Sequence, residues 1–417
     1  MTQTYSKPYS LTEQIAKHLA RPVDAAMRMR ARLHLLDWLG CVAGARGSTV
    51  DRLDFPEASE NILSKSAFLG NLLEMDDVHR TALLHPGPVI WPTVLGDLDS
   101  SDEGWLNAAV RGYETMIIIG RMLDAHHYAH FHPTATAGIF GAAAASADLA
   151  GADEPTMAHA LALAGSVSGG LWQMRHSDNM AKQWHIAHAM ISGGSAAYFA
   201  LQGVTGPLDV LEGAQGLFAA TCAAPNPIVL PDHWQMSDVS FKPWAACRHV
   251  HPAMDAALQL RAQGQLDGHI LLETYADALK FCDNPDPVTT AQAKFSLQHG
   301  VAIIMAGDMP DLSDFEPDVI AALAPLRARV TVRADPALTA AYPSHFGARI
   351  TSGRGSVTLA DTYGDPERPM DRDAIIAKAA TLMQAGGLTA TNVDHAVNLA
   401  LNDPDGEGIV RLLEAWL

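Results

Sequence analysis

The chain has 417 residues, 48% of them hydrophobic and 18% charged, and carries a net charge of −18. That length exceeds the roughly 250–300 residues at which one hydrophobic core stops growing, so two domains are expected. An acidic balance of this size argues against nucleic acid or an anionic membrane surface as partner. It leaves room for an anionic metabolite only where a local cationic pocket overrides the general field.

The N-terminal stretch MTQTYSKPYSLTEQIAKHLA lacks the apolar core of a signal peptide, so a cytoplasmic protein is expected. From residue 10 to about 237 the sequence reads as helix after helix. MRMRARLHLLDWLGCVAGA (27–45) has helically spaced apolar residues closing on glycine, and WLNAAVRGYETMIIIGRML (105–123) repeats the theme. The Ala- and Gly-rich stretches 136–151 and 155–172 would let helix axes approach closely, which places them centrally in a bundle. The small-apolar run 134–147 ends at Asp148, short of the roughly 20 residues a membrane helix needs.

Near residue 238 the pattern changes. HILLETYADALKF starts in a β-compatible way, RARVTVRAD (327–335) alternates like a strand, and ARITSGRGSVTLAD (348–361) reads as a hairpin turning at Gly353 and Gly355. After the loop GDPERPMDRD, helix returns to the end of the chain. The expected fold is mainly α: a large all-helical domain built from both chain ends (1–237 with 371–417) and a smaller α+β domain (238–370).

Four segments hold ionisable residues where apolar ones would be cheaper. In EMDDVHRTALLHPGP (74–88), Glu74 and Asp77 are three apart, as are Asp76 and His79, so a helix would give paired faces. Pro86-Gly87-Pro88 cannot continue a helix, which puts His85 at a helix end or in the loop after it. A capped, solvated helix end with incidental histidines is the bland reading. In HHYAHFHPTATAG (126–138), four histidines fall within seven positions, but no matching Asp or Cys pattern defines a metal site, and Pro133-Thr134 would start a helix just after His132. In DNMAKQWHIAHAM (178–190), Lys182 and His185 are three apart on an expected helix, and Trp184, Ile186 and Ala187 suggest a mostly buried segment rather than a snorkelling surface lysine. In SFKPWAACRHVHP (240–252), Lys242, Arg248, His249 and His251 gather positive charge at the expected domain boundary, where small-molecule sites preferentially sit; a basic linker is the alternative. Cys41, Cys222, Cys247 and Cys282 show no CxxC spacing, which argues against a disulfide scaffold, a zinc ribbon or an iron–sulfur cluster.

Taken in order, these segments resemble the MmgE/PrpD family of 2-methylcitrate dehydratase, cis-aconitate decarboxylase and iminodisuccinate epimerase. The resemblance rests on LLDWLGCVAGA, FLGNLLEMDDVH…HPG, FHPTATAGIFGAAAA, KQWHIAHA, LEGAQGLF, FKPWAACRHVHPAMDAAL and AKFSLQHGVA, and covers nearly the whole chain. It implies a helical domain formed by both chain ends, an α+β lid, a homodimer, and neither metal nor organic cofactor. It also implies an active site built from His85, Lys182, Lys242, Glu74, Asp77 and His299, with His132, Val78, His185 and Arg248 binding substrate. Two positions depart from the family pattern. Glu74 stands where aspartate is usual, and His299 stands where tyrosine is often found, adding an imidazole that could titrate near neutral pH.

The reactions of this family move a proton at a carbon next to a carboxylate, and negative charge accumulates. The resemblance therefore implies that Lys182, Lys242 and His132 hold substrate carboxylates, that His85 is the general acid or base, and that Glu74 or Asp77 orients the imidazoles. The expected function is a cofactor-independent lyase, a dehydratase or decarboxylase, acting on a small di- or tricarboxylate. An epimerase of a dicarboxylate such as an iminodisuccinate uses the same machinery, and a catalytically idle binder of anionic metabolites is the reading from another class.

Overall fold

A computed structural model describes residues 9–53, 59–96, 103–177, 179–307 and 309–417. The first eight residues of the N-terminal stretch and Asp178 of the Lys182 segment lie outside the described residues. The fold is mainly α, 59% helical with one small four-stranded sheet. The chain divides into two compact units.

The first unit takes its described residues from Met1–Leu72, Ala82–Asp238 and Arg372–Leu417. Its centre is the helix Pro133–Leu149, in which every residue from Pro133 to Ala147 is buried. Proline at its first position is pre-set for helical φ and has no N–H to leave unpaired. Its alanines and glycines bring the helices Gly104–Met122 and Ala181–Leu201 close on either side. The second Ala- and Gly-rich stretch becomes the helix Glu154–Gly165, capped by Asp153, whose carboxylate accepts the Thr156 N–H at 2.9 Å. The chain's last helices belong to this unit. Arg372–Ala385 packs on Ala25–Gly44, and there Lys378 Nζ meets Asp37 Oδ1 at 2.5 Å, both side chains buried. No helix among the described residues is long and apolar enough to cross a membrane.

The second unit comprises Leu73–Thr81 and Val239–Asp371. Strands β1 (Ile270–Thr274), β2 (Val330–Ala334), β3 (Ala348–Thr351) and β4 (Ser356–Leu359) form one sheet in the order β2-β1-β3-β4. β1 and β2 are parallel; β3 pairs antiparallel with both β1 and β4. The β3–β4 hairpin turns through residues 352–355, with the Ser352 N–H on the Gly355 carbonyl at 2.9 Å. The helices His251–Ala262 and Leu297–Ala306 pack against the sheet and each other.

One segment differs from the sequence-based division at residue 237. Leu73–Thr81 groups with the second unit, and its partners give the reason. Val78 and Ser240 exchange both backbone hydrogen bonds, at 3.0 and 2.8 Å, and Lys294 Nζ donates to the Leu73 carbonyl at 3.0 Å. Those bonds satisfy a non-helical backbone, so residues that follow the helix Ser59–Leu72 in sequence leave its unit.

Candidate functional site

The candidate residues fall into two groups, one in each unit. In the first unit, His85 is half-buried, just ahead of the helix Gly87–Gly96. The HPGP sequence therefore starts a helix rather than stopping one. The Pro86 carbonyl accepts the Val89 and Ile90 N–H groups, at 3.1 and 3.0 Å, and Pro88 sits in the first turn, where a missing N–H costs nothing. The His85 N–H donates to Thr134 Oγ1 at 3.1 Å, which ties this loop to the first turn of the central helix. Two residues upstream, Leu83 has φ +56, a left-handed backbone rare for a γ-branched residue.

His132 is the N-cap residue of the helix Pro133–Leu149 and is buried. Its carbonyl accepts the Ala135 and Thr136 N–H groups, and its own N–H donates to the Gly170 carbonyl at 2.9 Å. Position 170 requires glycine: φ is +113, and a Cβ there would lie 2.6 Å from Ala135 Cβ. His132 Nδ1 lies 3.4 Å from His185 Nδ1, so one ring donates and the other accepts, and the tautomers of the two imidazoles are linked. Burial, with a smaller effect of His188, lowers the pKa of His185 and favours its neutral ring. Trp172 packs on His132 with ring centroids 4.7 Å apart, and Arg175 lies over Trp172 at 5.2 Å. Lys182 is half-buried in the first turn of Ala181–Leu201, one turn before His185. The expectation of a mostly buried segment is corrected at Trp184, which is 53% exposed.

In the second unit, residues 73–81 form no helix, so the expected i,i+3 pairing of Glu74 with Asp77 and Asp76 with His79 does not arise. All four side chains are nonetheless buried. Glu74 has φ +58, a conformation that costs about 1–3 kcal/mol in a residue with a Cβ and recurs at functional sites. The fully buried Lys242 sets its Nζ 3.4 Å from Asp76 Oδ1 and 3.7 Å from Glu74 Oε2. A lysine and carboxylates taken out of water together offset one another's desolvation. Val78 enters through its main chain, by the bridge to Ser240, and its side chain is buried. Arg248 donates through Nη2 to Asp365 and lies over Phe346 at 5.4 Å. Its Nε and Nη1 are buried and meet no acceptor among the described residues.

His299 does not fit the titrating role that its sequence position suggested. It is wholly buried, with Nε2 2.9 Å from the Asp314 carbonyl and Nδ1 3.5 Å from Arg327 Nη1. A carbonyl accepts and a guanidinium donates, so the neutral ring protonated at Nε2 satisfies both. Burial lowers its pKa to about 4; the Asp314 carbonyl opposes that shift and Arg327 adds to it. At neutral pH this imidazole is an uncharged core group.

Sequence reasoning assigned no role to Thr134, Trp172, Arg80 or Asp365. Thr134 and Arg80 lie inside quoted motifs, whereas Trp172 and Asp365 act through neighbours distant in sequence. Among the described residues, His345, Asp361 and Glu367 bring three possible metal-ligand atoms within 4.8 Å of one another. Arg80 already supplies a cation there, donating to both Asp361 and Glu367.

Comparison with known proteins places this architecture. Residues 65–228 match the MmgE/PrpD N-terminal domain and residues 244–402 the MmgE/PrpD C-terminal domain. The chain belongs to the MmgE/PrpD family. It is similar to the cis-aconitate decarboxylase of Homo sapiens, 30% identical over 182 residues, a match covering 40% of this chain and 37% of that protein. The chain thus aligns with little more than a third of the length of that curated relative.

Proposed function

We propose that the protein is a lyase of the dehydratase or decarboxylase type, acting on a small di- or tricarboxylate by proton transfer next to a carboxylate. Membership of the MmgE/PrpD family and similarity to a cis-aconitate decarboxylase support the reaction class. The observation that carries the reading is Lys242, fully buried beside Glu74 and Asp76. Burying a lysine and several acids is costly for a fold that only needs to be stable, and such groups concentrate where charge must be handled.

In this reading Lys182, Lys242, His132 and Arg248 bind substrate carboxylates. Nε–H and Nη1–H of Arg248 point to different sides of the guanidinium, so either one can donate to a substrate carboxylate oxygen. His85 moves the proton. In decarboxylation, the carbon–carboxylate bond breaks, carbon dioxide leaves, and the electron pair left on carbon takes a proton from His85. In dehydration, His85 removes the proton next to the carboxylate and, as the imidazolium, returns it to the departing hydroxyl, which leaves as water. The cations offset the negative charge that builds on the remaining carboxylate in either case. Glu74 and Asp76 set the charge state of the buried Lys242 cluster, and no step calls on a metal or organic cofactor.

The acting form in this proposal is a homodimer. The helix Ala181–Leu201 exposes Trp184, Ile191 and Tyr198 seven residues apart along one side, with Phe199 beside Tyr198, and a second copy would cover that stripe.

The test is turnover of a panel of di- and tricarboxylates, cis-aconitate among them, followed by proton NMR in deuterium oxide. Net loss of carbon dioxide or water supports the lyase. Exchange at the carbon without net conversion would point to an epimerase, and binding with neither would make the protein an anion binder.

A further inference from the structure

The loop GDPERP, residues 364–369, has no part in the reading above, yet Asp365 within it is completely buried. Its oxygens are used on all sides. Oδ1 accepts from Ser240 Oγ at 2.7 Å and from Arg248 Nη2; Oδ2 accepts the Thr362 N–H at 3.1 Å and lies 3.6 Å from Arg80 Nη1. Burial pushes this carboxyl up, but Arg248, Ser240 and Arg80 more than offset it and hold it below the ordinary aspartate range.

The partners of Asp365 come from two separate stretches of the second unit. Arg80 ends the segment that carries Glu74, Asp76 and Asp77, and it also donates to Asp361 at 2.9 Å and to Glu367. Ser240 and Arg248 bracket Lys242 in the other stretch. The loop itself is fitted to this place. The Phe241 N–H donates to the Gly364 carbonyl at 3.1 Å, and a Cβ on Gly364 (φ +98) would lie 2.1 Å from the Phe241 carbonyl oxygen. Only glycine allows so close a return of the chain.

We infer that Asp365 is a positioning residue: one buried carboxylate that fixes the acidic segment 73–81 through Arg80 and the cationic segment 240–248 through Ser240 and Arg248. The geometry is specific to orientation. With Nη2 held by Asp365 and the guanidinium lying over the Phe346 ring at 5.4 Å, the direction of Nε–H and Nη1–H of Arg248 is restrained. Asp365 itself touches no substrate in this assignment.

Two readouts test it on the full chain, and only the second rests on the proposed function. The first is amide hydrogen exchange of Asp365→Asn, which keeps shape and loses charge. Residues 73–81 and 240–248 should exchange about tenfold faster or more, while β1 and β2 keep their protection. Unchanged exchange in both segments would overturn the inference. So would equal loosening of the whole second unit, which would make Asp365 a stability residue and nothing more. Should Asp365→Asn not fold, Arg80→Lys takes its place, and it should loosen 73–81 while leaving 240–248 as in wild type; loosening of both or neither overturns the inference.

The second readout is the split between KM and kcat for whichever acid the wild type turns over. Loss of carboxylate orientation should raise KM about tenfold or more with a much smaller fall in kcat, because the contact is made in ground and transition states alike. A proportional fall in kcat with KM unchanged counts against the assignment. If wild type turns over none of the acids, the proposed function fails, while the exchange experiment still decides the role of Asp365.

Discussion

Replacing Lys242 with alanine should remove turnover and destabilise the second unit in a pH-dependent way. At 3.4 and 3.7 Å from Asp76 and Glu74, the ammonium interacts with each carboxylate by about 4–5 kcal/mol at an effective dielectric near 20. Part of that offsets desolvation, and removing one partner from a buried ionic group costs about 3–5 kcal/mol in practice. The loss cannot exceed the cost of protonating an acid instead. In the variant, Glu74 or Asp76 should take up a proton more readily than in wild type, because burial remains and the cation is gone. The sign follows: the unfolded carboxylate is charged at pH 8, so the variant is most destabilised there, and the deficit shrinks toward pH 5 as the proton becomes easier to supply. Urea unfolding of wild type and variant at both pH values, alongside turnover on the acid panel, measures this. A loss of about ten- to a hundredfold in kcat/KM is the minimum expected for a hydrogen bond to a charged group. Near-normal turnover, with an equal stability deficit at pH 5 and pH 8, would refute the view of Lys242 as the buried counter-charge of this cluster.

His85→Ala should abolish deuterium exchange at the substrate carbon while His85→Gln still binds ligand; unchanged exchange in the alanine variant would assign the proton transfer to another residue. The folded pKa of His299, lowered to about 4, lies below that of the unfolded chain. Its stabilising effect is therefore complete above about pH 6.5 and decays by about 2 kcal/mol by pH 5. The stability advantage of wild type over His299→Phe should shrink over that window, and a ring that protonates near pH 6.5 by NMR would contradict this. Ile191→Asp with Tyr198→Asp should convert a dimer to monomers in light scattering without loss of helix, and an unaltered mass would remove the stripe as the interface.

Much of the architecture could be read from the sequence because its signals are local. The alternation in RARVTVRAD gives β2, the glycines of ARITSGRGSVTLAD give the β3–β4 turn, and Pro133 announces the central helix. The Leu73–Thr81 excursion was not legible, because nothing in EMDDVHRT says that its backbone hydrogen bonds go to Ser240. A polar stretch after a helix looks like a frayed end until its distant partner is known. HPGP misled for a related reason: prolines that cannot continue a preceding helix suit the first turn of a following one, so a segment read as ending a helix begins one.

The two departures from the family pattern separate once their surroundings are known. In the sequence, Glu74 and His299 stand out alike, as two departures from the family pattern. Yet His299 has both ring nitrogens satisfied within its own unit by Asp314 and Arg327, so its exchange for a phenol is first a matter of core packing. Glu74 differs in kind. It holds a strained backbone, lies beside Lys242, and can change its reach by one methylene without disturbing a packed ring. Strain of this sort persists only where surrounding bonds over-determine it, and here the Lys294 bond to the Leu73 carbonyl and the Val78–Ser240 bridge supply them on either side. Specificity that differs from that of the family's other members is therefore to be sought at position 74 before position 299.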